Sequence, residues 1–331
     1  LKRARGLKPS CPRVCPRPLA RCVALRDLAM QVLVTGAGGK TGCIVVRKLL
    51  ERGAGFKVRA MVRSKESEDS LREKLGESLA SSLEVVHGDI LKKESLPNAF
   101  QGVEAAVVVT SAMPQLDKLS LVKVIGVKLL TFGQVSTRPD FYYLEGQSPE
   151  HVDWAGQRDQ IDAAKAAGVK HIVLVSSMAG TLPEHFLNAN MGRIVLWKRK
   201  AEKYLCASGI PYTIIHPGGL LPHPGPQANV PALGGKRQLF LSVDDKLVVE
   251  GDELKEEGKQ DQIRSLIPRE DVAEICVQSL VEPDAKNRAF DLGSGSEGQG
   301  DVYTGDFGAL LATLNGENCY YDKADLPASS L

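Results

Sequence analysis

The sequence predicts an α/β fold in which helices cover both faces of a doubly wound parallel sheet, with a small C-terminal substrate lobe. Two observations lead to this prediction. From Gln31 onwards, short apolar runs alternate with segments of helical pattern, as in parallel βαβ units joined by right-handed crossovers. A glycine-rich turn also follows the first apolar run and opens the first helix.

The predicted elements follow one another along the body of the chain. The first strand covers Gln31 to Val34, and the helix after the glycine turn ends near Gly53, because glycine commonly terminates helices. The run Val107 to Val109 indicates a strand that is buried on both faces. The other predicted elements are the strand Phe56 to Arg63, the strand Leu83 to Asp89, the strand Val103 to Ser111, the helix Asp153 to Gly168, the strand His171 to Ser176, the strand Tyr212 to His216 and the strand Ala289 to Leu292.

Two segments rich in Pro, Gly and charged residues interrupt this alternation. Residues 113–150 are predicted to be an inserted loop, and residues 217–266 to form the substrate lobe together with residues 293–331. Ligands of doubly wound sheets bind beyond the carboxyl ends of the strands, so these segments are placed to cover a substrate. Residues 30–331 are therefore predicted to form a single domain.

The composition indicates a globular chain with a large core and a basic leader. Its 331 residues are 43% hydrophobic and 25% charged. Residues 1–29 contain eight Lys or Arg and one acid and carry +7, which leaves −5 for the rest of a chain whose formal charge is +2. A mildly acidic body argues against the binding of nucleic acid. No apolar run approaches the roughly 20 residues that span a bilayer, so no transmembrane segment is predicted.

Residues 1–29 are predicted to be an organelle transit peptide. They are basic, rich in Pro and Ala and poor in acids, and they lie directly before the first strand. The other interpretation is a disordered basic tail without a targeting signal.

The cysteines and histidines predict neither a disulfide framework nor a metal site. Seven cysteines are an odd number and are scattered along the chain, which favours buried, reduced thiols. The six histidines include no pair at i and i+4 and no neighbouring Cys-x-x-Cys. No metal ligand is predicted.

The segment Thr35 to Gly42 is predicted to bind the pyrophosphate of a dinucleotide. Gly36 allows the sharp turn at the strand end, Gly39 lets bare backbone approach the phosphates, and Gly42 lets the new helix pack closely on the sheet. The phosphates would lie at the helix N-terminus, where free N–H groups and the helix dipole favour negative charge. A nucleoside-triphosphate loop is rejected because that motif needs glycine where Val34 stands. The residues assigned to this contact are Gly36, Gly38, Gly39, Lys40, Thr41 and Gly42.

The end of the second strand predicts NADP(H) rather than NAD(H). An NAD-selective site places Asp or Glu there, about 20 residues past the glycines, to bind the 2′-hydroxyl of the adenosine ribose. Here Arg63 takes that place, and its guanidinium can form two hydrogen bonds with a 2′-phosphate, to which Ser64 and Lys65 can add. The strand-end residues predicted to flank the adenine are Asp89 and Ile90, and those predicted to border the nicotinamide ribose are Thr110 and Ser111.

Several motifs stand in a fixed order along the chain. They are Thr35 to Gly42, His87 to Ile90, Val152 to Gln157, Gly168 to His171, Gly209 to Ile215 and Arg269 to Ala273. Together they resemble the atypical, NmrA-like short-chain dehydrogenase/reductases, and most of all the plant and algal plastid members of that group. The resemblance covers about residues 31–312 and implies a Rossmann-type sheet, NADP binding and a plastid transit peptide. His216 departs from the pattern, because the family commonly has Arg before Pro-Gly.

The resemblance also implies where catalytic residues would lie. In the wider superfamily a Tyr and a Lys four residues later share a helical face, and the ammonium lowers the pKa of the phenol so that it exchanges a proton with the substrate carbonyl. None of the seven tyrosines has Lys at that spacing. In the family's register Lys198 matches the lysine, Ile194 stands at the tyrosine position, and Ser176 with Ser177 matches the superfamily serine. Lys198 and Ser176 are the predicted catalytic residues, and Lys198 is also a predicted cofactor contact.

The missing tyrosine leaves several functions open. General acid catalysis contributes about 10²- to 10⁴-fold, so its absence weakens carbonyl reduction without excluding hydride transfer. The sequence favours a weak or unconventional NADPH-dependent oxidoreductase that reduces a small-molecule acceptor such as a flavin or quinone, or that takes a proton from His185 or Tyr142. The alternatives are a non-catalytic NADP-binding regulatory or assembly subunit of a plastid complex, and a scaffold that has lost its nucleotide.

The expected location follows from the leader and the resemblance. It is the plastid stroma, including the periphery of the thylakoid, with the mitochondrion and the cytosol as alternatives.

Overall fold

The computed structural model of the protein describes residues 29–132, 134, 139–221, 234–256, 258, 264–298 and 300–321. The strands are β1 (Met30–Thr35), β2 (Phe56–Val62), β3 (Glu84–His87), β4 (Ala105–Val108), β5 (Gln115–Leu116), β6 (Phe141–Tyr142), β7 (His171–Val175), β8 (Tyr212–Pro217), β9 (Gly219–Leu221), β10 (Leu239–Ser242), β11 (Leu266–Pro268) and β12 (Arg288–Ser294). The helices are α1 (Gly42–Glu51), α2 (Lys65–Ala80), α3 (Leu96–Phe100), α4 (Lys118–Leu130), α5 (Gln157–Ala166), α6 (Phe186–Ala189), α7 (Ile194–Ala207), α8 (Lys246–Glu256), α9 (Arg269–Ser279) and α10 (Phe307–Ala312). A π-helical turn (Glu150–Gly156) leads directly into α5.

The main sheet has ten strands in the order β3-β2-β1-β4-β7-β8-β12-β11-β9, with β10 paired to β12. All pairs from β3 to β12 in this order are parallel. β10 runs antiparallel to β12. The strand order reverses between β1 and β4, which is the switch point of a doubly wound sheet. The predicted fold class is confirmed.

The central strands are buried on both faces, as expected for a parallel sheet covered by helices. Val32, Leu33 and Val34 of β1 have no exposed surface, and every residue of β4 is buried. One group of helices packs α1 against α2 and α9, and another packs α5 against α3 and α7. With both faces covered, the carboxyl ends of the strands are the natural place for a ligand.

The segment 113–150, expected to be a loop, contains α4 and the antiparallel pair of β5 and β6. Asp117 begins α4 by accepting a hydrogen bond from the Leu119 N–H at 2.9 Å. The apolar side chains of α4 point around the whole helix, and Leu119 and Leu129 are exposed, so no single apolar stripe marked it in the sequence. β5 and β6 have two residues each, too few to show alternation.

The segment 217–266 likewise contains β9, β10, α8 and the start of β11 within its described residues. β3 and β4 are shorter than predicted. The ladder between β2 and β3 ends at the pair Val62 and His87, and the ladder between β1 and β4 ends at the pair Thr35 and Val108.

The predicted leader lies outside the described residues except for residue 29, and it stays a prediction. Among the described helices, none combines the length and the apolar character needed to cross a bilayer.

The glycine at the start of α1 allows a stability test. A Cβ on Gly42 would lie 2.1 Å from the Gly36 carbonyl oxygen, whereas a Cβ on Gly55 would meet nothing within 4 Å. We expect Gly42→Ala to lower the free energy of unfolding by about 1–3 kcal/mol or more, because backbone must move. Gly55→Ala is the matched control and should be neutral or slightly stabilising. Urea denaturation measures both, and equal effects would contradict the close contact.

Candidate cofactor site

The glycine turn lies directly against the ends of β1 and β4. Gly36 has φ +71°, and a Cβ there would lie 3.0 Å from the Val109 carbonyl carbon and oxygen. The Val109 N–H donates to the Thr35 carbonyl at 3.3 Å, which joins the two strand ends. The turn closes on itself through the Gly39 N–H, which donates to the Gly36 carbonyl at 2.9 Å. Bare backbone is therefore required at Gly36 and Gly42 by contacts within the protein itself.

The N-terminus of α1 is open to an anion. Its N-cap residue Thr41 makes no side-chain capping bond, and the first turn contains no acidic residue. Gly38, Gly39 and Lys40 are exposed. The Cys43 and Ile44 N–H groups donate to the Gly39 and Thr41 carbonyls, both at 3.0 Å, so the attraction for a phosphate comes from the helix dipole and from the N–H groups ahead of them. The predicted pyrophosphate contact thus has a suitable surface, although its occupancy stays a prediction.

The end of β2 lies beside this turn. A Cβ on Gly38 would be 3.6 Å from the Ser67 Cβ and 3.9 Å from a Val62 methyl. Arg63 directly follows Val62 and is exposed. The described residues contain no hydrogen-bond or ion-pair partner for its guanidinium. Ser64 instead caps α2 by accepting from the Ser67 N–H at 3.3 Å.

Lys65 is less available than Arg63. Its ammonium lies 2.8 Å from an Asp69 carboxylate oxygen and 3.5 Å from one of Glu68. The Asp69 side chain raises the pKa of Lys65. The sequence offered three groups for a 2′-phosphate, and Arg63 is the one whose charge is unengaged among the described residues.

The end of β3 reaches the same edge. The Gly88 N–H donates to the Val62 carbonyl at 3.0 Å. The Asp89 carboxylate accepts from the Leu91 N–H at 3.1 Å and so stabilises the turn after the strand. Ile90 is buried, and its methyl would be 3.0 Å from a Cβ on Gly156. Asp89 and Ile90 therefore have local structural roles besides the adenine contact predicted for them.

The end of β4 is tied to the π-helical turn and to α5. Gln157 Nε2 donates to the Thr110 carbonyl at 3.2 Å, and Gln160 Nε2 donates to the Thr110 hydroxyl at 3.1 Å. Ser111 is exposed. The Ala112 N–H then donates to Asp153 Oδ2 at 3.0 Å. Thr110 is thus engaged by both of its oxygens, while Ser111 is free to face a ligand.

Asp153 and Lys198 form a buried ion pair beyond the end of β4. Lys198 Nζ lies 2.7 Å from Asp153 Oδ1, and the two side chains are 7% and 0% exposed. Asp153 belongs to the π-helical turn and Lys198 to α7. The sequence contained Asp153 in a recognised motif but gave it no role, because its partner lies in a distant helix.

A tyrosine does approach this pair, although outside the expected spacing. The Tyr143 hydroxyl donates to the Met191 carbonyl at 3.0 Å. Burial, together with the negative charge of Asp153, raises the pKa of Tyr143 to about 12. Of the two proton donors proposed from the sequence, Tyr142 is exposed on β6, and His185 accepts the Leu187 N–H at 3.4 Å at the start of α6. Burial lowers the pKa of His185.

Ser176 lies in a second buried group rather than with Lys198. Its hydroxyl donates to the Glu202 carboxylate. Glu202 also accepts from the Tyr321 hydroxyl at 3.0 Å and faces His216 Nε2 at 3.1 Å. Burial acts to raise the pKa of Glu202, but His216, Ser176 and Arg199 together outweigh burial, and the pKa is lowered. The two predicted catalytic residues therefore have different partners: Lys198 pairs with Asp153, and Ser176 binds Glu202, which stands four residues after Lys198 on α7.

A cavity of about 420 Å³ lies elsewhere, between α1 and α9. Ion-paired side chains line it, among them Arg47 with Glu270 and Lys48 with Glu274. None of the predicted phosphate-binding residues lines it. The candidate cofactor site is instead the open edge formed by the glycine turn and the ends of β2, β3 and β4.

Comparisons with known proteins agree with this geometry. Residues 36–245 match a family described as NAD(P)H-binding. The chain is 43% identical over 292 residues to sanguinarine reductase of Eschscholzia californica, covering 86% of this chain and 96% of that protein. It is 45% identical over 286 residues to a chloroplastic protein of Arabidopsis thaliana, covering 86% of this chain and 75% of that protein. The solved structure of the oxidoreductase ylbE from Lactococcus lactis shares the fold, with a TM-score of 0.54 and 16% identity over 88% of this chain and 99% of that one.

The chain belongs to this NAD(P)H-binding family, which confirms the resemblance inferred from its motifs.

The ion pair of Asp153 and Lys198 makes a second stability prediction. Asp153→Asn should lower the free energy of unfolding by about 3–5 kcal/mol, because it leaves the Lys198 ammonium buried without a counter-ion. The double variant Asp153→Asn with Lys198→Met removes both charges and should recover most of the lost free energy of unfolding. Glu317→Gln is the control, since it breaks the exposed pair with Lys246 and should cost under about 1 kcal/mol. Equal losses in the single and double variants, measured by urea denaturation, would contradict the coupling.

Proposed function

We propose that the protein binds NADP(H) at the open edge of β1, β2 and β4 and acts as an NADPH-dependent oxidoreductase of unconventional mechanism in the plastid. One observation carries the proposal. The N-terminus of α1 is uncapped at Thr41, and Arg63, which directly follows the Val62 that lies against the glycine turn, has no guanidinium partner among the described residues. A diphosphate and a 2′-phosphate would satisfy these two positive groups together.

The cradle of backbone around the glycine turn supports this assignment. The contacts of Gly36 and Gly42 leave no room for side chains, so the first turn of α1 presents main-chain N–H groups rather than methyl groups. The exposed Lys40 adds a cation next to them. When bound, NADPH supplies a hydride. Lys198, held by Asp153 at 2.7 Å just beyond β4, is the cation expected near the nicotinamide ribose.

The side chains present favour acceptors that need no proton from the protein. Reduction of an isolated carbonyl produces an alkoxide, for which a superfamily tyrosine would supply the proton, and Ile194 stands at that position. A flavin or quinone spreads the added charge over a ring, and a cationic C=N⁺ group is neutralised by the hydride itself. These three classes are therefore the proposed acceptors. The name of the reductase from Eschscholzia californica supports an enzymatic role.

The plastid location is supported by the chloroplastic relative and by the basic leader. Residues 1–29 have the composition of a transit peptide, and they precede β1 directly.

A non-catalytic role is the second candidate, and the same ion pair favours it. Both predicted catalytic side chains are already engaged, Lys198 by Asp153 and Ser176 by Glu202. A protein that binds NADP without turnover would use these bonds for rigidity alone and would act as a regulatory or assembly subunit of a plastid complex.

The choice of NADP over NAD depends on Arg63. We expect Arg63→Ala to weaken NADPH binding by about 1.5–3 kcal/mol, or roughly tenfold to a hundredfold, because a charged hydrogen bond is lost. NADH binding should be almost unchanged. Lys65→Ala is the matched control and should have a smaller effect, since Asp69 already holds that ammonium. Titration calorimetry measures these affinities, and equal losses for both nucleotides would place the 2′-phosphate elsewhere.

A turnover screen separates the two candidate functions. NADPH oxidation should be detectable with flavin, quinone or iminium acceptors and should be about 10²-fold or more slower with simple carbonyls, because Ile194 stands where the superfamily's tyrosine donates its proton. Gly39→Val is the control for oxidation without a bound cofactor, since its side chain would occupy the phosphate approach. Tight NADPH binding without turnover of any acceptor would support the regulatory role. Absence of NADPH binding would overturn both candidates.

A further inference from the structure

One buried group of potential metal ligands includes none of the residues predicted to contact the nucleotide. His216 is the last residue but one of β8, Asp291 lies within β12, and Cys319 follows α10. The three residues are 4%, 1% and 6% exposed. One ligand atom from each residue can be chosen so that all three lie within 4.8 Å of one another. We propose that these three residues form a binding site for a divalent transition metal, with zinc as the best match.

The two distances from the His216 ring to the other ligands fit tetrahedral coordination. His216 Nδ1 lies 3.3 Å from Asp291 Oδ1 and 3.6 Å from Cys319 Sγ. Zinc bonds of about 2.0–2.3 Å place neighbouring ligand atoms of a tetrahedron roughly 3.3–3.7 Å apart. A single Nδ1 proton can be donated to the carboxylate or to the sulfur but not fully to both. A metal ion would satisfy all three atoms at once.

The surroundings orient the ligands as metal sites commonly do. His216 Nε2 faces the Glu202 carboxylate at 3.1 Å, which is the usual second partner of a metal-bound histidine. The other oxygen of Asp291 accepts from the Asp245 N–H at 2.8 Å, which leaves Oδ1 directed at His216. Both partners fix the direction in which the ligand atoms point.

The donor set selects the kind of metal. One thiolate, one imidazole and one carboxylate suit zinc or a similar transition ion, whereas magnesium and calcium prefer oxygen ligands alone. A small cavity of about 10 Å³ adjoins the three ligands and is also lined by Ser177 and Gly180. It approaches the size needed for one water, the natural fourth ligand.

Positive charge near the cavity opposes a cation, and it comes from Arg199 and from His216 until the ring gives up a proton to bind metal. Arg199 lines the cavity, but its guanidinium lies 4.9 Å from the centre of the Tyr321 ring and donates to the Tyr320 carbonyl at 2.9 Å. The carboxylates of Glu202, Asp244, Asp245 and Asp291 face or line the same cavity. Negative charge therefore predominates there, and a divalent ion would lower the repulsion among these groups.

The proposed metal has a structural role. It would join the segment after α10 to β8 and β12, which carry none of the residues predicted to contact the nucleotide. The site was invisible in the sequence because its ligands are 75 and 103 positions apart, and because a family arginine is expected where His216 stands.

Cobalt(II) tests the site in the full chain kept reduced with a phosphine. Cys11, Cys15 and Cys22, outside the described residues, are first changed to Ser so that they supply no thiolates. We expect one equivalent of cobalt per chain, with the visible spectrum of tetrahedral cobalt and a thiolate-to-cobalt charge-transfer band. Zinc should displace the cobalt and raise the unfolding temperature.

Three variants then identify the ligands. Cys319→Ser should remove the charge-transfer band and weaken cobalt binding at least tenfold, while the control Cys206→Ser should leave both unchanged. Glu202→Gln should weaken binding by about 10- to 100-fold, as loss of a histidine's outer partner does. Absence of cobalt binding, or a band that survives Cys319→Ser, would overturn the proposal. If that variant does not unfold cooperatively, Asp291→Asn decides: a tenfold weaker affinity supports the site and an unchanged affinity overturns it.

Discussion

Contact between bare backbone segments at the start of α1 positions the candidate cofactor site. The Gly36 carbonyl occupies the space that a side chain on Gly42 would need, and the Val109 carbonyl limits Gly36 in the same way. These contacts fix the start of α1 close to the strands. Its N-terminus is therefore held at the carboxyl ends of β1 and β4, where the strand order of the sheet reverses. The ends of β2 and β3 lie at the same edge because neighbouring strands are hydrogen-bonded. For example, the Gly88 N–H donates to the Val62 carbonyl.

The contacts of helix α7 give the residues that match the superfamily's catalytic set a structural role. Lys198 and Glu202 lie four residues apart and so share one helical face, but each forms a different buried interaction. Desolvating a charge without a partner costs several kcal/mol, so both Asp153 and His216 are needed to keep this face inside the protein. Lys198 and Ser176 thus each have a partner within the protein, without any ligand. A structural role is enough to explain why these two residue types stand at these positions.

The sequence was most informative where function depends on neighbouring residues. The glycine turn, Arg63 and the strand ends at Asp89 and Thr110 could be located because local patterns determine their positions. Asp153 could not be assigned a partner, since its contact with Lys198 depends on how a π-helical turn and a distant helix meet. The helix in the segment 113–150 was missed because its apolar residues follow no single stripe, and β5 and β6 are too short to leave a pattern.

The segment after α10 has a consequence for the order in which the domain is completed during synthesis. The Cys319 N–H donates to the Ala289 carbonyl, and the Tyr321 hydroxyl reaches Glu202, so the end of the described chain covers charges carried by α7 and β8. Until those residues leave the ribosome, Glu202 and His216 remain in contact with water on that side. The nucleotide-binding half can form while translation continues, but the second half can close only after Cys319 and Tyr321 have emerged.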